Sequence, residues 1–147
     1  MNDTSLTIET VHEIRDECLC FATQRAARRL ARRFDRVFAP LGLTNGQFSM
    51  LVPLLGPWRP RLGELAEFLA MDAATMSAAI KTLEKRGLVA LQADDDDARA
   101  RRPALTQTGR DLMARAVPLW KMDHALVQNT AAGLNAKALA RLGQDAS

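Results

Sequence analysis

The sequence predicts a mainly α-helical domain carrying one small β-hairpin, and three observations predict it. Apolar residues recur at helical spacing through most of the chain. Breakers cut that pattern into helix-sized pieces: Pro40 with Gly42, the cluster GPWRP at 56–60, Gly87 and Gly133. One short apolar run, Leu88–Leu91, leads into DDDDARARR and returns as Ala104–Leu105, which reads as strand, charged tip and strand. With 147 residues, 48% hydrophobic and 25% charged, the chain has material for one self-sufficient core.

After a loose N-terminal arm, residues 11–38 are expected to form a long two-faced helix. Leu19, Ala26, Leu30, Phe34 and Val37 fall on one side, and Arg25, Arg28, Arg29, Arg32 and Arg36 on the other. Pro40 and Gly42 end it. Thr44 then caps a second helix, TNGQFSMLVPLL, with Pro53 near its end. Two shorter helices follow, LGELAEFLA (Leu62–Ala70) and Ala73–Arg86. Met71 and Asp72 make the turn between them, and Asp72 is placed to cap the second. There Met76, Ala79, Ile80 and Leu83 share one side, while Ala74, Ser77, Ala78, Lys81 and Lys85 project oppositely. Small side chains on an outward face let a large partner approach closely. Gly87 stops this helix, the hairpin follows, and Thr106 or Thr108 caps a last long helix that Pro118 should kink and Gly133 should end. A weaker helix covers 135–142.

Helix, tight turn, helix and hairpin in this order make a winged helix-turn-helix. The flanking helices carry more apolar surface than so small a domain buries alone, so dimerisation through them is expected. The whole of 1–147 is one domain, with N-terminal dimerisation helices over 11–56, a winged helix-turn-helix lobe over 57–107 and C-terminal dimerisation helices over 108–147.

Four stretches occur in fixed order: LGLTNGQFSML, LGELAEFLAMDAATMSAAIKTLEKRGLV, the charged tip, and LTQTGRDL. Together they resemble the multiple-antibiotic-resistance regulator (MarR) family of bacterial transcription factors, from about Cys20 to Leu126. The family's wing motif, D-x-R-x-x-R, is matched by Asp97, Arg99 and Arg102. The resemblance implies that Arg99 enters a minor groove whose narrowing concentrates negative potential, while Asp97 holds its guanidinium ready. Where the family often has a further arginine after the wing aspartate, this chain has Ala98. Asp94, Asp95 and Asp96 are expected to be solvated, with capping of the hairpin turn as the alternative. On the helix 73–86 the resemblance implies insertion into the major groove. Thr75, Ser77 and Lys81 are the candidates for polar contact, and Ala74 and Ala78 for thymine methyls. Arg59 and Arg61 are candidate phosphate clamps.

The implied partners are a palindromic operator of double-stranded DNA, a second copy of the chain and a small-molecule effector. Repression is the family's commoner mode. Net charge is weak support, because residues 58–110 hold nine Lys or Arg against eight Asp or Glu. For the effector, Arg25, Arg29 and Arg32 offer forked hydrogen bonds to a carboxylate such as that of an aromatic acid, and Phe48, Trp58, Trp120 and His124 offer an apolar wall. The other sensor is a thiol. LCFATQ, at 19–24, resembles the first helix of the family's organic-hydroperoxide-sensing branch, with Cys20 at its reactive cysteine. That branch uses tyrosines to hold the thiolate, whereas this chain has no tyrosine and places Gln24, Phe34 and Asn45 there. On the helical wheel Cys20 falls beside Ala27, Ala31, Phe34 and Phe38, which favours an inert buried thiol.

Other functions lack their parts. No phosphate loop, nucleophile elbow or metal-ligand pair is present, so no enzyme, cofactor or metal site is expected. Cys18 and Cys20 point about 160° apart on a helix and form no metal pair. The polar, acidic start of the chain and the absence of a long apolar run lead to a cytoplasmic expectation with no membrane contact. The remaining rival is a DNA-free adaptor built on the same scaffold.

Overall fold

The computed structural model describes residues 6–144. In chain order it contains α1 (Ile8–Glu17), α2 (Leu19–Phe38), α3 (Asn45–Leu51), α4 (Leu62–Phe68), α5 (Ala73–Lys85), β1 (Val89–Ala93), β2 (Arg101–Leu105), α6 (Gln107–Thr130) and α7 (Ala136–Ala140). Short 3₁₀ turns follow α2 and α3, at Ala39–Leu41 and Val52–Leu54. The fold class is the expected one, mostly helical with a two-stranded antiparallel hairpin.

The single helix expected over 11–38 is instead two. Cys18 takes an extended conformation, φ −70° and ψ 111°; its N–H donates to the Ile14 carbonyl at 3.1 Å and its Sγ accepts from the Phe21 N–H at 3.5 Å. One cysteine therefore ends α1 and caps α2, where no glycine or proline marks a boundary. Thr44 and Gln47 form a reciprocal capping box at the start of α3. Between α4 and α5 the turn is tightened by Ala70 at φ 52°, so that the Met71 N–H reaches back to the Ala66 carbonyl at 2.8 Å. Asp72 caps α5 as expected, accepting the Thr75 N–H at 2.8 Å.

The hairpin is longer than its apolar pattern suggests, with register running from Val89 opposite Leu105 to Ala93 opposite Arg101. Its outer half carries polar side chains such as Gln92, Arg101 and Arg102, so the apolar alternation fades while the ladder continues. Thr106 rather than Thr108 caps α6: its Oγ1 accepts the Gly109 N–H at 3.0 Å and donates to the Gly87 carbonyl at 2.5 Å. A Cβ on Gly109 would overlap the Leu88 carbonyl oxygen, so glycine is required for α6 to pack this close to the strand. The helix runs on across Pro118 and ends at Thr130, ahead of Gly133.

One core joins every layer: Phe34 and Phe38 of α2, Phe48 and Leu51 of α3, Leu65 of α4, Met76, Ile80 and Leu83 of α5, and Met113 and Ala116 of α6. Phe38 stacks on Phe48 at 4.5 Å. Each large apolar side chain buried here contributes about 1.5–3 kcal/mol, so α2 and α6 act as a brace for the lobe. Arg33 adds a forked pair to Asp123, at 2.6 and 2.8 Å, between the two braces. Apolar residues remain uncovered at both ends of the chain, including Ile8, Val11, Leu19, Met122, Leu126 and Leu139. Among the described residues no helix is long and apolar enough to cross a membrane.

Candidate nucleic-acid interface

Helix α5 separates its residues as its periodicity requires. Met76, Ile80 and Leu83 are buried, while Ala74, Ser77, Ala78, Lys81 and Lys85 are exposed. The result is a low helical surface edged by two ammonium groups. Thr75 is also exposed, but its hydroxyl donates to Asp72 Oδ2 at 2.6 Å. That bond, with the backbone N–H bond from the same residue, holds the Asp72 carboxyl below its ordinary range. The Thr75 hydrogen is thus committed to the cap, leaving its oxygen able to accept from a base amino group.

At the hairpin tip, the expected grip of Asp97 on the Arg99 guanidinium is not formed. Asp97 Oδ1 accepts the backbone N–H of Arg99 at 2.9 Å, so it shapes the tip rather than the arginine side chain. The Arg99 side chain is exposed and makes no hydrogen bond or ion pair among the described residues. Arg101 turns back, donating from Nη1 to the carbonyls of Ala98 and Ala100 at 3.0 and 3.2 Å. Arg99 is the arginine of the tip whose five donors stay available.

The largest departure concerns Asp94. Its side chain is only 2% exposed, where solvation was expected; Asp95 and Asp96 are exposed. Arg102 Nε donates to Oδ1 at 2.5 Å and Arg61 Nη2 to Oδ2 at 2.8 Å, and the backbone N–H groups of Asp96 and Asp97 donate to Oδ2 at 3.3 and 3.0 Å. Burial pushes this carboxyl's pKa up, but the hydrogen bonds from Arg102 and Arg61 and their positive charge outweigh it and bring it down to about 2. Arg102 also donates from Nη1 to the Arg59 carbonyl, and Arg59 Nη2 to Gln92 Oε1. Arg61 and Arg102, expected on DNA, are therefore engaged inside the protein, each with part of its side chain still exposed. Sequence reasoning missed Gln92 and the arginine partners of Asp94, while the turn-capping alternative holds for Asp94. An aspartate capping amides two and three residues ahead is a readable turn signal. A partner 33 residues away is not.

The effector candidates separate into two groups. Phe48 and Trp120 line one cavity of about 370 Å³, with Val52, Leu55, Phe68 and Val117 among its walls, where α3 and α4 face α6. His124 stacks on Trp120 at 4.6 Å, and Trp58 meets Phe68 edge-on at 5.3 Å. Arg25 and Arg29 do not line this space. The Arg25 guanidinium lies 5.5 Å from the centre of the Phe21 ring, on α2 itself. The described wall of this cavity includes Ser49 and no charged side chain, so the fork expected for a carboxylate is not assembled here.

Cys20 is exposed rather than packed against Phe34 and Phe38. A wheel overlays residues on one face regardless of height, and fourteen positions along a helix are roughly 20 Å of rise. Its Sγ accepts a hydrogen bond from Gln24 Nε2 at 3.1 Å, and Leu142 and Gly143 line the same shallow pocket. Cys18 is half-buried at the α1–α2 junction. Among the described residues no cluster of three His, Cys, Asp or Glu is arranged for a metal ion.

Comparison with known proteins agrees with the winged-helix fold. The model of the MarR family matches residues 43–100. The M. tuberculosis transcriptional regulator MosR, solved in complex with DNA, is 36% identical and superposes with a TM-score of 0.75 over 87% of this chain and 95% of that one. BpsR of Bordetella bronchiseptica, whose DNA binding is regulated by 6-hydroxynicotinic acid, is 29% identical over 89% of this chain and 96% of its own, with a TM-score of 0.70. An organic hydroperoxide resistance transcriptional regulator of Bacillus subtilis is 25% identical over 101 residues, 69% of each chain.

Proposed function

This chain belongs to the MarR family of DNA-binding transcriptional regulators, which are not enzymes, and from that premise we propose that it is a homodimeric repressor of a palindromic operator, released by a small-molecule effector. The observation that carries the proposal is the pairing of two free features on one lobe. The small-faced α5 offers Ser77, Ala78 and Lys81, and the hairpin offers an uncommitted Arg99 guanidinium. Two such lobes at the pitch of duplex DNA place each α5 in a major groove and each Arg99 in the flanking minor groove. Lys81 and the part-exposed Arg61 and Arg102 then add phosphate or guanine contacts, so binding weakens steeply with salt.

The cavity between α3, α4 and α6 is the favoured effector site, because its walls belong both to the DNA-reading lobe and to a bracing helix. A ligand that prefers the non-binding spacing lowers operator affinity by the ratio of its affinities for the two states. Walls formed by Phe48 and Trp120 with no charged lining suit an uncharged aromatic molecule better than the aromatic carboxylate expected from the sequence. The test is selection of DNA from a random pool at low salt, then competition with neutral aromatics and aromatic acids. Failure to enrich any DNA would transfer the scaffold to the adaptor reading.

One observation favours a second sensor. Cys20 is accessible and receives a donor hydrogen bond from Gln24, a neutral counterpart of the tyrosines in the hydroperoxide-sensing branch. Attack of its thiolate on an organic hydroperoxide would give a sulfenic acid and release the alcohol. Hydroperoxide-dependent release from DNA that persists in Cys20→Ser excludes this reading.

A further inference from the structure

The Arg99 tip is the far end of a seven-residue excursion between strands, and a two-stranded ribbon alone holds such a tip poorly. Something in this chain holds it. Asp94 stands at the point where β1 leaves its ladder, and its two carboxylate oxygens reach in three directions. Oδ1 takes Arg102 of β2, Oδ2 takes Arg61 from the segment leading into α4, and Oδ2 also takes two amides of the tip itself. Arg102 extends the link by donating to the Arg59 carbonyl, and Gln92 of β1 accepts from Arg59. The hairpin is in this way tied from both strands to the residues that precede the helix-turn-helix. The Arg61 Nε is buried without an acceptor among the described residues, and the guanidinium's bond from Nη2 goes to Asp94.

We propose that Asp94 is the positioning residue of the wing: it fixes the angle of the hairpin against the α4–α5 lobe and so delivers Arg99 to the minor groove already oriented. This role had been expected of Asp97, and it rests on the reading of Arg99 as the groove-entering side chain. Asp94 never touches DNA. It removes orientational freedom that would otherwise be lost on binding, which is a gain in affinity without a contact.

Simple electrostatics makes the opposite prediction, and that makes the proposal testable. Asp94→Asn discards a negative charge beside two arginines and, if charge alone mattered, would tighten DNA binding. Positioning requires it to weaken binding. Operator affinity is measured by fluorescence anisotropy for wild type, Asp94→Asn, Arg61→Ala, Arg99→Ala and the Asp94→Asn/Arg99→Ala double variant, with thermal unfolding of each as a check on folding. The expected result is a roughly three- to tenfold loss for Asp94→Asn and a smaller loss for the part-exposed Arg61→Ala, while in the Arg99→Ala background Asp94→Asn costs almost nothing further. The preference for A·T over G·C in the flanking minor-groove positions falls with Asp94→Asn, and the cost of changing a major-groove base does not. Tighter binding by Asp94→Asn, or a loss that simply adds to that of Arg99→Ala, overturns the proposal. Should Arg99→Ala bind as well as wild type, the wing reading itself fails, which is a different outcome from either. If Asp94→Asn does not fold, Asp94→Glu, which keeps the charge and displaces the carboxylate by one methylene, carries the same cycle with Arg99→Ala.

Discussion

A carboxylate can be buried and still ionised only where its hydrogen bonds outweigh desolvation, and Asp94 meets that condition through two guanidinium groups and two amides. Its folded pKa of about 2 lies below the ordinary 3.8, so its stabilisation is complete above the unfolded value and is lost as pH falls through the folded one. Urea unfolding should therefore find Asp94→Asn less stable than wild type at neutral pH, with the gap closing between about pH 4 and pH 2. A gap that stays constant through that window would contradict the ionised pairing. Gly109 is a second single-residue dependence. Gly109→Ala forces a Cβ into the Leu88 carbonyl and should cost about 1–3 kcal/mol, read as a lower denaturation midpoint with an unchanged urea slope. At this scale the sequence is legible where the partner is close: Thr44 with Gln47, Asp72 with Thr75, Gly87 at its left-handed φ. It is opaque where the partner is distant. Four aspartates in a row look alike until Arg61 arrives from another element to single one out.

Elements begin and end where backbone groups find acceptors, and most of those ends carry a local mark. Thr106 is one, with a hydroxyl that caps α6 and also closes onto Gly87. Thr106→Ala should cost about 1 kcal/mol or somewhat more in urea unfolding, because one change removes a cap and a hairpin-to-helix bond. The α1–α2 junction carries no such mark. Cys18 leaves helical geometry without a proline or glycine, so periodicity alone ran the helix straight through it. The hairpin shows the converse error, since its outer half is paired backbone with polar side chains and lacks the apolar alternation that signals a strand. The cavity was half legible for a similar reason. Phe48 and Trp120 stand out in the sequence as aromatics, whereas Val52, Leu55 and Phe68 join them only through the packing of α3 and α4 on α6. Arg25 and Arg29 were grouped with them by chemistry, and α2 carries them elsewhere. Tryptophan fluorescence during effector titration checks the placement: quenching or enhancement should disappear in Trp120→Leu and persist in Arg25→Ala.

The whole molecule has a winged-helix lobe and two ends that present apolar side chains left uncovered by the described residues. A second copy covers them most economically, since a two-fold pair repeats both the interface and the DNA-reading lobe at once. Sedimentation equilibrium should give a dimer, and Leu126→Glu paired with Leu139→Glu should shift it toward monomer and lose operator affinity together. The dimeric spacing also sets what the operator must look like. Hydroxyl-radical footprinting on DNA selected from a random pool tests this most directly. The predicted result is two protected half-sites centred about one helical turn apart or a multiple of it, with minor-groove protections outside them that vanish in Arg99→Ala while the inner protections remain. A single unpaired half-site, or flanking protections indifferent to Arg99→Ala, would contradict a paired reader with arginine-tipped wings.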